Sequence, residues 1–448
     1  MRRLALVALL AGILVPSLLA PSPALASVPT VSAQAAIMID GSTGQVLYEK
    51  NSRQHMYPAS TTKILTAIIA IERGRLDDTV IVSRHAFDQE GTTAYLEVGE
   101  HRTLEELLYG MMLPSGNDAA MAIAEHIGGS ADGFVDMMNE KAKALGALDS
   151  HFVTPSGLHD PDHYTSARDL ALIARYAMTD PIFARIVSTH EYTLPGGAQP
   201  RHFINLNKLL WTYPEATGVK TGYTPEAGHT LVGAAERNGR KLIVVLMKGD
   251  LQGIYRDAQA LFDFGWTAFK PERLVPQGTI AGTVAVQDGA EDLVDVVSAE
   301  SLTLLTATDE ASGLPGAVKP SELERRVFLP ARLEAPLAAG TRVGELQLIE
   351  RGRVLGAVGL VVNHPVAART TTRTLWNRLA KLGALTKRVP VAGHLTPAGW
   401  GVLGLYAVWR TGVGIRRYRK KRLSRRRLGR LLPPGYLPLH RMMRHSGD

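Results

Sequence analysis

The 448-residue chain contains no cysteine. This excludes a disulfide framework, a thiolate nucleophile and any cysteine-based zinc or iron–sulfur centre. Gly 43 and Pro 25 are too few for a collagen-like chain. An apolar share of 45% with 21% charged residues excludes a largely disordered one. Internal repeats are missing, and so are long apolar runs except near the two ends. Acidic residues are missing from 416–430, which hold ten Lys/Arg; the net charge of +8 therefore leaves −2 for everything else. A body so balanced is not a nucleic-acid-binding surface, and no nucleic-acid partner is expected. The length predicts two or three structural units.

Both ends are expected to address a membrane. Met1-Arg2-Arg3, the apolar run Leu4–Val15 and the small-x-small stretch Ala24-Leu25-Ala26 form the pattern of a secretory signal peptide, with cleavage expected after Ala26. The shortness of the run and Pro16, Pro21 and Pro23 argue against an uncleaved anchor. At the other end, residues 389–412 are mostly apolar and carry Trp400, Tyr406 and Trp409, and the basic block from Arg416 follows directly. That order predicts a membrane-anchoring segment, a basic cytoplasmic tail over 413–448, and an exported body on the extracytoplasmic face. An interfacial amphipathic helix is the alternative to a transmembrane one.

Between the ends the pattern predicts an α+β domain over 27–270. Ala35–Asp40 and Gln45–Glu49 read as a hairpin, and Pro58 precedes a buried helix over about Thr61–Arg73. Thr103-Leu104-Glu105-Glu106 is a capping box opening a helix to about Met112. Further helices are expected from Asp118 to Gly128-Gly129 and from Ser166 to about Met178. Thr230–Arg237 and Lys241–Lys248 flank Asn238-Gly239, a strong hairpin signal. Strands at both ends of a helical middle predict one sheet built from the two ends. From 271 to about 365 short β-type runs recur (Thr283–Val286, Leu302–Leu305, Val327–Leu329, Glu345–Leu348, Val354–Val362), predicting a small all-β domain. Residues 366–388 read as a helical spacer.

Three short patterns carry chemistry: Ser60-Thr61-Thr62-Lys63 at the start of the buried helix, Ser115-Gly116-Asn117 between two helices, and Lys220-Thr221-Gly222 before the hairpin strands. An S-x-x-K match alone arises about once per chain of this size by composition. The three in this order and context do not. Residues i and i+3 share a helix face, so Ser60 and Lys63 can touch. A serine hydroxyl needs a base, and a buried lysine of lowered pKa, depressed further by Lys220, can be that base. The helix N-terminus favours a developing oxyanion. Ser115 can relay a proton, the Asn117 amide can hold the lysine and a substrate carbonyl, and Lys220 and Thr221 can bind a carboxylate. Gly222 lets a substrate backbone lie against the strand edge.

At these residues the sequence resembles the penicillin-recognising serine acyl-enzymes, and more narrowly the low-molecular-weight penicillin-binding proteins, the serine-type D-alanyl-D-alanine carboxypeptidases of peptidase family S11. The likeness extends over about residues 30–365 and includes Leu113–Ala119, Thr154-Pro155-Ser156-Gly157-Leu158 and Val219–Thr224. Thr217-Gly218-Val219 departs from the Asp-Gly that often precedes the family's K-T-G. The resemblance implies a β-lactamase/transpeptidase-like catalytic domain, an antiparallel sheet with a helical subdomain. It implies Ser60 as nucleophile, Lys63 as general base, and an oxyanion hole from the backbone N–H groups of Ser60 and Tyr223. The implied substrate is the D-Ala-D-Ala end of peptidoglycan stem peptides, the implied inhibitors are β-lactam antibiotics, and no cofactor is called for.

Rival readings are a serine β-lactamase, a DD-endopeptidase, an inactive wall-binding homologue, and a zinc peptidase using His159 and His163. The E-x-x-L-N segment of class A β-lactamases is missing. H-x-x-x-H ligands need a helix to converge, and Pro161 stands between the two histidines, so 159–163 is read as a polar loop.

Overall fold

The computed structural model describes residues 28–196, 200–308, 318–350 and 352–369. The expected signal peptide, the anchor, the basic tail and nearly all of the spacer lie outside the described residues. Among the described residues no helix is long and apolar enough to cross a membrane.

The chain is α+β. A five-stranded antiparallel sheet runs in the order 46–50, 35–40, 240–249, 228–237, 216–224, so its two sequence ends do meet in one sheet. The central strands are buried on both faces, and strict alternation decides which layer each side chain joins. Ile37, Ile39, Ile243, Val245 and Met247 face one core with the helices Lys63–Arg73, Leu104–Met112, Asn117–Gly128 and Ala167–Ala177. Ala36, Met38, Leu242, Val244 and Leu246 face another with Ile254, Leu261 and Phe262 of the helix Gly253–Ala268. A sheet sandwiched between helical layers in this way holds the Lys63–Arg73 helix as a rigid central support.

Local signals act as expected. Thr103 Oγ1 accepts the Glu106 N–H at 3.2 Å while Glu106 returns a carboxylate to the Thr103 N–H at 3.0 Å, closing the capping box. Asn238 and Gly239 both have positive φ, as a two-residue hairpin turn requires. The structure departs from the sequence reading in three places. The buried helix is α-helical only from Lys63; Ala59–Thr62 before it is a 3₁₀ turn, entered through Ala59 at φ +49°. Lys220-Thr221-Gly222 does precede the hairpin strands, but it lies within a further strand, Ala216–Thr224, at the sheet edge. The helices Ala131–Ala144, Pro181–Ser188 and Gly253–Ala268 were unforeseen. The last carries Gly265 in its interior, a weak helix residue. A Cβ there would lie 2.6 Å from Leu242 Cδ1, so the glycine lets the helix sit directly on the sheet.

Among the described residues beyond the helix Gly253–Ala268 the regular structure is β, apart from the 3₁₀ turn Pro320–Glu322. Strands 269–275 and 302–307 pair, and a six-stranded sheet has the order 324–328, 342–350, 353–362, 293–298, 280–287, 332–334. Gln45 clasps this region to the catalytic sheet. Its buried amide donates to Leu305 O at 2.6 Å and accepts the Leu305 N–H at 3.0 Å.

Candidate active site

The candidate catalytic and substrate-binding residues read from the sequence gather at one cleft of about 480 Å³, bordered by Ser60, Ser115, Asn117, Thr221, Gly222 and Tyr223, with the two lysines buried behind its walls. The first wall is helical. Thr61 Oγ1 donates to Pro58 O at 2.7 Å and holds the 3₁₀ turn that presents Ser60. Lys63 follows one turn later, 0% exposed, and its ammonium nitrogen has three acceptors: Ser60 Oγ at 3.0 Å, Asn117 Oδ1 at 2.6 Å and Ser156 O at 2.7 Å. Burial holds its pKa well below the usual lysine range. Lys220 pushes it further down, and Asp118 opposes them. A pKa lowered in this way makes the ammonium readier to give up a proton, which a general base requires.

The loop between two helices supplies the next residues. Ser115 sits at φ +70°, and its buried Oγ finds no hydrogen-bond partner among the described residues. Asn117 opens its helix. The amide oxygen takes the lysine proton as expected, but the amide nitrogen donates to Glu90 O at 2.5 Å, so this group also ties down the rim loop. Asp118, read from sequence as a helix starter, is buried and gathers the same loop by accepting from Thr93 Oγ1 (2.6 Å), Ala94 N (2.8 Å) and Leu96 N (3.1 Å).

The second wall is the edge strand Ala216–Thr224. Lys220 is 2% exposed, pairs in register with Val232, and among the described residues has one long side-chain hydrogen bond, 3.3 Å to Thr221 O. Burial brings its pKa down to about 7. Gly222 is where strand and helix wall touch. A Cβ there would lie 2.5 Å from Thr230 Oγ1 and 2.7 Å from the Ser60 backbone nitrogen. Thr230 Oγ1 itself donates to Pro58 O at 3.0 Å and so fixes the two walls together. Gly218, in the segment that departs from the family pattern, adopts φ +150° beside a break in the strand register. Tyr223 projects into solvent, with its ring 4.6 Å from that of His229.

His163 is not part of a solvated loop. It is buried beneath the helical wall, where Nδ1 accepts the N–H groups of Val153 (3.0 Å) and Thr154 (3.2 Å). The ring proton therefore belongs to Nε2, which meets Thr62 Oγ1 at 2.9 Å. Burial lowers its pKa to about 4. Thr66 Oγ1 adds a bond to Pro155 O at 2.6 Å, and Gly157, at φ +84°, is packed so closely that a Cβ would fall 1.9 Å from Ala59 O. This underlying layer was missed in sequence, although Pro155-Ser156-Gly157 offered a turn signal.

Such a sheet–helix domain, with a Ser–Lys pair at the helix start facing a K-T-G strand, is the architecture of the penicillin-binding proteins. Penicillin-binding protein 5 from Haemophilus influenzae aligns over 76% of this chain and 99% of its own with TM-score 0.62 and 28% identity. The D-alanyl-D-alanine carboxypeptidase structure from Mycobacterium tuberculosis aligns over 54% and 93%, with TM-score 0.52 and 38% identity. By sequence, D-alanyl-D-alanine carboxypeptidase DacF of Bacillus subtilis is 33% identical over 75% of this chain and 85% of its own. The family model for D-alanyl-D-alanine carboxypeptidase, Peptidase S11, matches residues 22–250, and that for the penicillin-binding protein 5 C-terminal domain matches 269–368. The chain belongs to the D-alanyl-D-alanine carboxypeptidase family, peptidase S11.

Proposed function

We propose that this enzyme removes the terminal D-alanine from peptidoglycan stem pentapeptides through an acyl-enzyme on Ser60. Ser60 Oγ attacks the carbonyl between the two terminal D-alanines as its proton passes to Lys63 Nζ. Backbone N–H groups of Ser60 and Tyr223 hold the oxyanion. The C–N bond then breaks. A proton relayed through Ser115 reaches the leaving amine, and D-alanine departs. Water attacks the ester, returning the hydrogen to Ser60 Oγ and releasing the shortened peptide. Asn117 orients Lys63, while Lys220 and Thr221 face the substrate carboxylate. Gly222 admits the peptide backbone to the strand edge. The observation that carries the reading is the 3.0 Å contact between Ser60 Oγ and a buried Lys63 whose pKa is strongly lowered.

The basic-apolar-small pattern of residues 1–26 supports export. The apolar segment 389–412 with its basic follower supports anchoring to the outer face of the membrane, with the catalytic domain over 27–270 and the β domain over 271–365. Intact mass of residues 27–365 with benzylpenicillin is the test, with D-alanine release from a stem pentapeptide as the companion assay. A slowly decaying adduct absent from Ser60→Ala is expected. An adduct that turns over within seconds indicates a β-lactamase, and none on the folded protein an idle binding homologue.

A further inference from the structure

The walls of the cleft are almost free of charge. Among the residues that border it, none is acidic, and Lys208 is the one exposed cation. Lys208 immediately precedes the short helix Leu209–Thr212, and its ammonium nitrogen lies 5.9 Å from the centroid of the Tyr255 ring. Tyr255 is itself anchored beside the cleft, its hydroxyl 3.4 Å from Leu206 O. An aromatic face steadies an ammonium without neutralising it. No carboxylate lies within ion-pair distance of Lys208 among the described residues. Asp250, which also acts on His229, gives its carboxylate to the N–H groups of Gln252 (3.1 Å) and Gly253 (2.7 Å). Burial lowers the pKa of His229 on the cleft wall, Asp250 opposes this, and the nearby charge of Lys208 adds to the lowering.

A single unpaired ammonium over an acid-free cleft selects for a negative group on the ligand. Lys220 cannot fill this role alone, since it is buried behind the strand and carries only part of a charge at neutral pH. Building on the hydrolase reading above, we infer that Lys208 is a specificity residue that binds a carboxylate of the substrate at the cleft mouth. Two sources share that chemistry: the C-terminal carboxylate of the residue being removed, and an acidic group on an upstream residue of the stem peptide.

The test compares wild type, Lys208→Met and Lys208→Arg in two reactions. One is acylation by benzylpenicillin, whose only carboxylate corresponds to the substrate terminus. The other is D-alanine release from a pentapeptide with a carboxylate-bearing third residue. Lys208→Met is expected to raise the pentapeptide KM about tenfold with kcat nearly unchanged, as for loss of a charged hydrogen-bond partner. Lys208→Arg restores it, and added salt weakens wild type but not Lys208→Met. A parallel loss in penicillin acylation assigns the terminal carboxylate; unchanged acylation assigns the upstream group. Unaltered KM, or equal salt dependence in wild type and Lys208→Met, overturns the inference. Because Lys208 is exposed, matching thermal melts are expected for all three proteins. A wild-type protein inert toward both probes fails differently: it overturns the hydrolase reading itself, and this inference with it.

Discussion

The two walls of the cleft each bury a lysine, yet they treat it in opposite ways. On the helical wall Lys63 meets three acceptors, one from its own turn and two from distant segments of the chain. On the strand wall Lys220 has one long bond to a neighbouring carbonyl. Burial lowers the pKa of both. The difference is in what remains to be satisfied. Lys63 is held in place with its nitrogen against Ser60, which suits a group that must move one proton over a fixed distance. Lys220 is left short of partners, which suits a group that completes its shell only when an anion arrives. On the proposed mechanism, equal burial serves chemistry at one lysine and binding at the other.

Removing each lysine tests that division. Lys63→Met should lower penicillin acylation by at least about 10³-fold, since the nucleophile loses its base. Substrate affinity, read from competition by the pentapeptide, should change little. Gly222→Ala attacks the seam between the walls. Its Cβ would collide with Thr230 Oγ1 and the Ser60 nitrogen, so the strand must retreat from the helix. A misplacement of about 1 Å costs on the order of 10²-fold, and acylation should fall by that much while the thermal melt stays close to wild type. Lys220→Met should raise the pentapeptide KM about thirtyfold and leave kcat within a fewfold, as expected for a charged hydrogen-bond partner lost from the bound state. A kcat collapse in Lys220→Met equal to that in Lys63→Met would erase the distinction between the walls.

The helical wall was more legible in sequence than the strand wall, for a physical reason. Spacing of three along a helix states directly that Ser60 and Lys63 share a face, and the capping box Thr103–Glu106 and the Asn238-Gly239 turn are equally local. Lys220-Thr221-Gly222 was visible as a motif before the hairpin strands, but the strand that carries it was not, because an edge strand with small residues and a register break has no clean alternation. What supports Lys63 from below was not legible at all. Ser156 O and Glu90 O are backbone atoms whose identity leaves no mark on composition. His163 looked like a loop residue because its neighbours Asp160, Pro161 and Asp162 are polar. Only the fold shows that its ring turns inward to meet Thr62 and two backbone N–H groups.

That histidine gives the last and smallest way to separate the walls, because it lies under one of them only. In the folded protein burial holds it at about pKa 4, against about 6.5 when unfolded. Since the folded value is the lower one, the unfolded chain takes up the proton first. Stability contributed by the neutral ring is complete above pH 6.5 and is lost as pH falls toward 4. Two and a half units correspond to about 3 kcal/mol at the limit, of which roughly 2 kcal/mol should be gone at pH 5. Chemical denaturation of wild type and His163→Gln at pH 7.5 and 5 measures it. The glutamine variant starts less stable, because one amide cannot accept two backbone N–H groups and also donate to Thr62 with the same geometry. Its stability should nevertheless fall less between the two pH values. An equal fall in both proteins would mean that the acid sensitivity lies elsewhere and that the layer beneath Lys63 is not held by a neutral His163.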